Sequence, residues 1–404
     1  MPISAAKLKT LRVNPDWATL PLFDRTGWTR LAFGQFAENV NQRVEPAEAA
    51  DEIYVGLEHL DPGCLHIRRS GKGSDVIGTK LRFRKGDIIF GRRRAYQRKL
   101  AVAETEGICS AHAMVVRAKS DVVLPEFLPF LMMSDKFMNR AVEISVGSLS
   151  PTINWTTLKV QEFDLPPIEQ QRRIAQILWK VNEAVESLDG LLKSLEAAQD
   201  AEFASGLQTQ TAPQRLDHFT SLITDGDHNP PKRTPAGIPH VLVQNIVGGA
   251  IDFANCTKIA VADLERAKKR YAPQKSDILL VCVGATIGKA GVVGDFTDFS
   301  TDRSLAVIRF NPAKVIPEYG YALVMSRPFQ TKLLRNCVGT AQPHLFLGDI
   351  RRIQCVIPSL AVQTRTVKVL RQLDAARRAA FDTLSQLTTL SGELGKALSD
   401  GANV

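Results

Sequence analysis

One offset brings the two halves of this chain into register, and that repeat constrains the fold more than any other feature. At a spacing of 192 residues, Arg117 meets Arg309, Pro125-Glu126 meets Pro317-Glu318, and Ser134 and Phe137 meet Ser326 and Phe329. Val146-Gly147 then meets Val338-Gly339, Pro151 meets Pro343, and Gln171 and Arg173 meet Gln363 and Arg365. Slightly upstream the spacing becomes 190, pairing Gly86-Asp87-Ile88 with Ser276-Asp277-Ile278 and Lys99 with Lys289. Two residues of slippage is one small loop change. A self-similar chain of this kind builds the same unit twice.

Each copy reads as a mixed domain followed by a long helix. Strand-like runs are Asp51 to Leu57, Asp87 to Phe90, Met114 to Val116, Val241 to Val243, Ile278 to Val283 and Leu305 to Ile308. They are rich in β-branched residues and bounded by Gly, Asp or Lys. Glu126 to Met138 and Glu318 to Leu334 each predict a short helix. After Pro166-Pro167 the period changes. Ile174, Leu178, Val181, Val185, Leu188, Leu192 and Leu195 recur at coiled-coil spacing. The matching positions are Thr366, Leu370, Leu373, Arg377, Ala380, Leu384 and Leu387, continued by Leu394 and Leu398. Thr366 and Arg377 weaken the second seam but keep its phase, so the two seams are expected to meet.

The expected fold class is therefore α+β. Two mixed α/β domains are separated by two long antiparallel coiled-coil helices, as a pseudo-two-fold tandem repeat. The expected boundaries are a first domain at 1–165, a first helix at 166–205, a second domain at 206–356 and a second helix at 357–404. The antiparallel arrangement follows from chain geometry. A helix from Glu169 to Ala204 is about 54 Å long at about 1.5 Å per residue. A domain of about 150 residues, about 15 Å in radius of gyration, cannot carry the chain back along it. The second helix must start near the far end of the first and return.

Charge narrows the partner. The net charge is +9, and twelve of the 32 residues from Arg68 to Lys99 are basic against two acids. Such a field attracts a polyanion. No run is apolar and long enough to span a membrane, and Met1 to Val13 has no apolar core for a secretory leader, so a cytoplasmic protein is expected. The six cysteines form no C-x-x-C pair, and the seven histidines show no metal-ligand spacing, so no metal is expected.

Several strings resemble those of type I restriction-modification specificity subunits. The helix entrance Leu165-Pro166-Pro167-Ile168-Glu169-Gln170-Gln171-Arg172-Arg173-Ile174-Ala175 resembles the opening of that family's conserved region. Tyr54 to His59, Gly86 to Gly91, Gly284 to Lys289 and Gly339 to Leu345 resemble its target-recognition domains. The resemblance implies two domains reading the two halves of an asymmetric bipartite site in double-stranded DNA, with the helices as a ruler. It also implies two methyltransferase subunits that bind S-adenosylmethionine and motor-endonuclease subunits that use ATP. The specificity subunit itself would hold no cofactor and perform no chemistry. The second helix entrance, Ile357-Pro358-Ser359-Leu360-Ala361-Val362-Gln363-Thr364-Arg365, lacks the acid and the paired bases of the first.

Two pairs of loops are the candidate DNA contacts. The first pair is Arg92, Arg93, Arg94, Tyr96, Gln97 and Lys99 in one copy and Thr286 with Lys289 in the other. Basic groups there suit phosphates. The second pair is Ser148, Ser150 and Thr152 against Thr340, Gln342 and His344. Short hydrogen-bonding side chains at one repeat position, differing in identity, suit base edges. Arg303 is a further candidate for guanine, unless Asp302 holds it in a structural ion pair.

Rival readings stay open on the sequence alone. One is a recognition subunit of a related modification or phage-defence system, and another a stand-alone methyltransferase or nuclease. A scaffold, or a mimic that blocks recognition, is a third; the basic charge argues against a DNA mimic. Asn229-Pro230-Pro231-Lys232 resembles the adenine-methyltransferase motif, but Lys232 stands where a stacking ring is required. Gly284 to Lys289 fails as a phosphate loop, having Val283 and Ala290 where that pattern needs Gly and Ser or Thr.

Overall fold

The computed structural model describes residues 23–206, 212–229, 231–338 and 343–400. The chain divides into two compact units, Met1–Gly190 with Ala379–Val404, and Leu191–Arg378. Each unit holds one mixed domain and a part of both long helices.

The first domain is built on a four-stranded antiparallel sheet in the order Ala37–Val40, Met114–Ala118, Ile88–Phe90, Leu100–Val102. The second has the same sheet in the same order, Thr220–Asp225, Leu305–Phe310, Ile278–Val281, Ala290–Val292. The register repeats as well. Val116 faces Ile88 in one sheet, and Ile308 faces Ile278 in the other. These strands are near-continuous apolar runs because both faces are covered. Ile88, Phe90, Leu100, Met114 and Val116 join the core under the helices. The alternate residues Ile89, Ala101 and Val115 join a core shared with a second sheet. Ile278, Leu280 and Ile308 divide from Leu279, Val281 and Val307 in the same way.

The second sheet of each domain contains one parallel pair, Ile53–Val55 beside Gly107–Cys109 and Ile238–Val241 beside Ser300–Thr301. A buried ion pair braces each domain. Asp87 accepts from Arg117 Nε and Nη2 at 2.7 and 2.8 Å, and Asp277 accepts from Arg309 at the same two distances. Both carboxylates are shielded from water.

The sequence predicts single helices over Glu126 to Met138 and Glu318 to Leu334, and the structure breaks both at the matching serine. Leu128–Met133 is followed by Asp135–Glu143, and Pro317–Met325 by Arg327–Arg335. Ser134 and Ser326 adopt extended backbone, and each hydroxyl accepts from the amide three residues on. A serine cap at the start of a new helix outweighs continuation of the old one.

The two long helices are Ile168–Gly206 and Leu360–Asp400. In the first unit Ile174, Leu178 and Val181 share a core with Leu390, Leu394 and Leu398, and Leu387 packs against it. In the second unit Phe203 shares a core with Val367, and Leu370 packs against it. The start of each helix thus meets the end of the other, so the pair is antiparallel. Val185, Leu188, Leu192, Leu195, Leu373 and Leu384 are half-buried along the stretch between. Ala380 is buried, whereas Arg377 is exposed and pairs with Asp374 at 3.0 Å. A 3.6-residue helix drifts from strict heptad spacing, which lets Arg377 leave the seam.

Each long helix is fastened to its own domain by a buried glutamine. Gln171 Oε1 accepts from Leu124 N at 2.8 Å, and its amide donates to Pro166 O at 2.9 Å and Val122 O at 3.2 Å. Gln363 repeats the clamp with Ile316 N, Pro358 O and Lys314 O at 2.8, 2.8 and 2.9 Å. Both N–H donors and the carbonyl oxygen of each amide are used, as burial demands.

Candidate nucleic-acid interface

The loops singled out as two separate pairs are one site in each domain. In the first, Arg93 forms a β-bridge with Thr152. Arg94 N donates to Pro151 O at 2.7 Å, and Ile153 N donates to Arg92 O at 3.0 Å. In the second domain Val283 bridges His344, Gly284 N donates to Pro343 O at 3.1 Å, and Leu345 N donates to Cys282 O at 2.9 Å. The backbone bonds are equivalent while the side chains differ. Sequence spacing could not reveal this contact, because the partners lie about sixty residues apart with no pairing signal of their own.

The basic loop of the first domain is divided in its roles. Arg93, Arg94 and Tyr96 are exposed. Arg94 Nη2 lies 3.3 Å from Ser150 Oγ, a weak contact that leaves its charge to solvent. Arg92 turns inward, donating to Ala111 O at 3.2 Å and lining a polar groove of about 330 Å³ with Asn39, Asn41 and Arg43. Arg98 and Lys99 are tethers. Arg98 donates to Asp135 and to Met133 O at 2.6 and 2.7 Å, and Lys99 Nζ donates to Leu57 O at 2.6 Å. Gln97 is half-buried beside them.

Arg94 and Arg98 both hold left-handed backbone, with φ of 58° and 52°. The second domain has Gly284 and Gly288 at the matching positions, with φ of 86° and 91°. A non-glycine residue in that region costs about 1–2 kcal/mol. The first domain accepts the strain and gains one exposed cation, Arg94, and one tether, Arg98. The second avoids it and presents Lys289, exposed, with Thr286 half-buried at the turn.

Ser148 is exposed, and Ser150 and Thr152 are half-buried. His344 is half-buried, its ring 4.9 Å from Phe346. Thr340 and Gln342 lie outside the described residues, as does Pro230. Asp302 accepts from the amide and hydroxyl of Ser304 at 2.9 and 3.4 Å and forms no ion pair with Arg303 among the described residues. Arg303 is exposed. The sequence reading missed Leu149, 91 % exposed at the tip of the Gly147–Pro151 turn. An apolar residue within a Ser/Gly/Pro string was the available signal.

Among the described residues no helix is long and apolar enough to cross a membrane, and no cluster of ligating side chains could hold a metal.

Comparison with known proteins places this geometry. The chain matches the model of the type I restriction modification DNA specificity domain over residues 70–197 and 240–384. It is 25 % identical over 213 residues to the EcoDI specificity subunit of Escherichia coli, covering 48 % of this chain and 45 % of that protein. It is 25 % identical over 273 residues to the EcoBI specificity subunit of the same organism, covering 58 % and 57 %. The chain spans about half the length of the curated relatives it matches. In fold it is similar to the crystal structure of a type I S subunit from M. genitalium, with a TM-score of 0.59 at 16 % identity over 92 % of this chain and 96 % of that one. A chain from a type I R-M assembly structure gives 0.51 at 20 % identity, covering 93 % and 98 %. The two matched stretches, one in each copy of the repeat, take in more than half of the sequence, and the chain belongs to the type I restriction modification DNA specificity domain family.

Proposed function

We propose that this chain is the non-catalytic specificity subunit of a type I restriction-modification complex, acting in the cytoplasm on double-stranded DNA. Each mixed domain reads one half of an asymmetric bipartite site. The helices set the gap and dock two methyltransferase subunits, and motor-endonuclease subunits complete the complex. S-adenosylmethionine and ATP are used by those partners. The functional segments are the first domain at 1–165, its helix at 166–205, the second domain at 206–356 and its helix at 357–404.

One observation carries this reading above the others. The two domains build the same paired-loop frame with matching backbone bonds, yet present Arg93, Arg94 and Ser148 in one and Lys289 and His344 in the other. A constant frame with variable side chains suits two readers of different sequences. Cations position on phosphates, and the hydroxyl and imidazole groups reach base edges.

The test is a domain exchange with methylation mapped across host DNA. Replacing 1–165 with the first domain of another family member should change one half-site and leave the other half and the gap intact. A simultaneous change in both half-sites defeats the reading. So does methyl transfer by the chain without partners.

A further inference from the structure

The Gly147–Pro151 turn carries a feature that phosphate and base-edge contacts leave unexplained. Val146 and Thr152 close the turn with two backbone hydrogen bonds, N to O at 3.0 Å and 2.9 Å. Gly147, at φ 114°, and Pro151 bound its geometry. Leu149 projects from this closed loop with 91 % of its surface in water, and Val146 at its base is 68 % exposed. Scattered exposed apolar residues are ordinary. This one is unlike them in its setting. It sits on a pinned loop, Pro151 accepts from the amide of the exposed Arg94, and Ser150 lies within reach of the Arg94 guanidinium. An exposed apolar tip on a pinned loop beside Arg93 and Arg94 is well placed to meet a nucleic acid.

We propose that Leu149 is a wedge that enters the base stack of the half-site read by the first domain. The inference rests on the function proposed above and deepens it. Many proteins that kink duplex DNA insert an apolar side chain between base steps, partly unstacking them, while basic groups contact the neighbouring phosphates. Arg93 and Arg94 supply the grip here, and the closed turn supplies the stiffness that insertion needs. The first domain then selects its half-site partly by which base step unstacks most readily, through deformability as well as hydrogen bonding.

The experiment uses the full chain with its methyltransferase partners and duplexes of the mapped site. 2-Aminopurine replaces each purine of the first half-site in turn, except the base that becomes methylated. The wild-type complex should raise fluorescence at one base step. Leu149→Ala should abolish that rise and weaken binding roughly tenfold, while the slope of log Kd against log salt stays the same, because the phosphate contacts remain. Leu149→Phe should retain the rise. If Leu149→Ala keeps both the rise and the affinity, the wedge is wrong. If affinity falls but no base step ever brightens in the wild type, Leu149 touches a groove wall or a partner subunit, and the wedge is again wrong. If the wild-type complex does not bind the duplex at all, the specificity reading itself fails instead.

Discussion

At the start of the first long helix, Trp179 lies against Phe130 with the rings 5.1 Å apart, and its indole donates to Glu126 O at 2.9 Å. At the matching point of the second helix the chain has Arg371, with Ala322 where Phe130 stood. Arg371 reaches Glu318 at 2.7 Å across an open groove of about 500 Å³ walled by Ile316 and Val367. Eight residues earlier on each helix, Gln171 and Gln363 make the same three hydrogen bonds. Where a side chain holds the path of the backbone, the two copies agree. Where it faces outward, they differ in volume, charge and polarity. The copies are one scaffold with two surfaces.

The largest effect should come from the shared scaffold. Asp87→Ala and Asp277→Ala each remove a buried carboxylate from a half-buried guanidinium. Breaking a fully buried pair costs about 3–5 kcal/mol, and access of water to the guanidinium puts the expected loss at the low end of that range. Asp277 should cost more than Asp87, because Tyr271 Oη also donates to it at 2.8 Å. Hydrogen exchange on Met114–Ala118 and Leu305–Phe310 reads each domain separately. Negligible losses would remove the ion pair from the scaffold, and equal losses would remove the added contribution of Tyr271.

Next come the outward differences at the helix start. Trp179→Ala removes a half-buried ring and should cost about 2 kcal/mol, short of the 3–5 typical of a fully buried aromatic. Arg371→Ala removes a pair exposed by 67 % and 52 % and should cost well under 1 kcal/mol. Comparable losses from the two substitutions would show that Arg371 does more than cap an open groove.

A smaller effect, of opposite sign in two measurements, is expected at the turn. Arg94→Gly relieves left-handed strain and should raise stability by up to about 1 kcal/mol, the gain trimmed by glycine's greater freedom in the unfolded chain. The same change should lower the salt slope of DNA binding by about one ion. A stability loss with an unchanged slope would make Arg94 structural.

Much of this division was legible in the sequence and some was not. The repeat offsets, the two central strands of each four-stranded sheet and the leucine seam declared themselves, because identical spacing and period survive in one dimension. The outer strands Ala37–Val40, Leu100–Val102, Thr220–Asp225 and Ala290–Val292 were not read, and the run expected as a strand from Val241 to Val243 ends its strand at Val241 and turns into a short 3-10 helix at Val243–Asn245. Two further things escaped. The serine breaks at Ser134 and Ser326 were hidden inside apolar runs that continue the helical period on both sides. The meeting of Arg93 with Thr152 and of Val283 with His344 is a tertiary contact between segments that carry no complementary pattern. Arg98 and Lys99 illustrate the same limit from the other side. Within a run of bases they look equal to Arg93, and only the placement of Asp135 and Leu57 makes them tethers.

The smallest effect concerns the parallel strand pair, where the copies differ in a titratable group. His240 is buried on Ile238–Val241 with Nδ1 2.7 Å from Ser300 Oγ, whereas the first domain has Tyr54 facing Ile108. Burial pushes the His240 pKa below its usual 6.5; Asp302 and Asp227 oppose that shift and Arg233 adds to it. The folded state therefore holds the neutral ring and binds fewer protons than the unfolded state. The stability this contributes is present above about pH 6.5 and is lost as pH falls from there toward the depressed folded value, at no more than about 1.4 kcal/mol per pH unit. Hydrogen exchange on Ile238–Val241, corrected for the intrinsic rate, should accelerate as pH falls below about 6.5, the unfolded histidine value. Ile53–Val55 should show no such step from this cause. Replacing the pair by its counterpart, His240→Tyr with Ser300→Ile, should flatten the profile of the second domain. A profile that the double substitution leaves unchanged would assign the acid sensitivity to other groups.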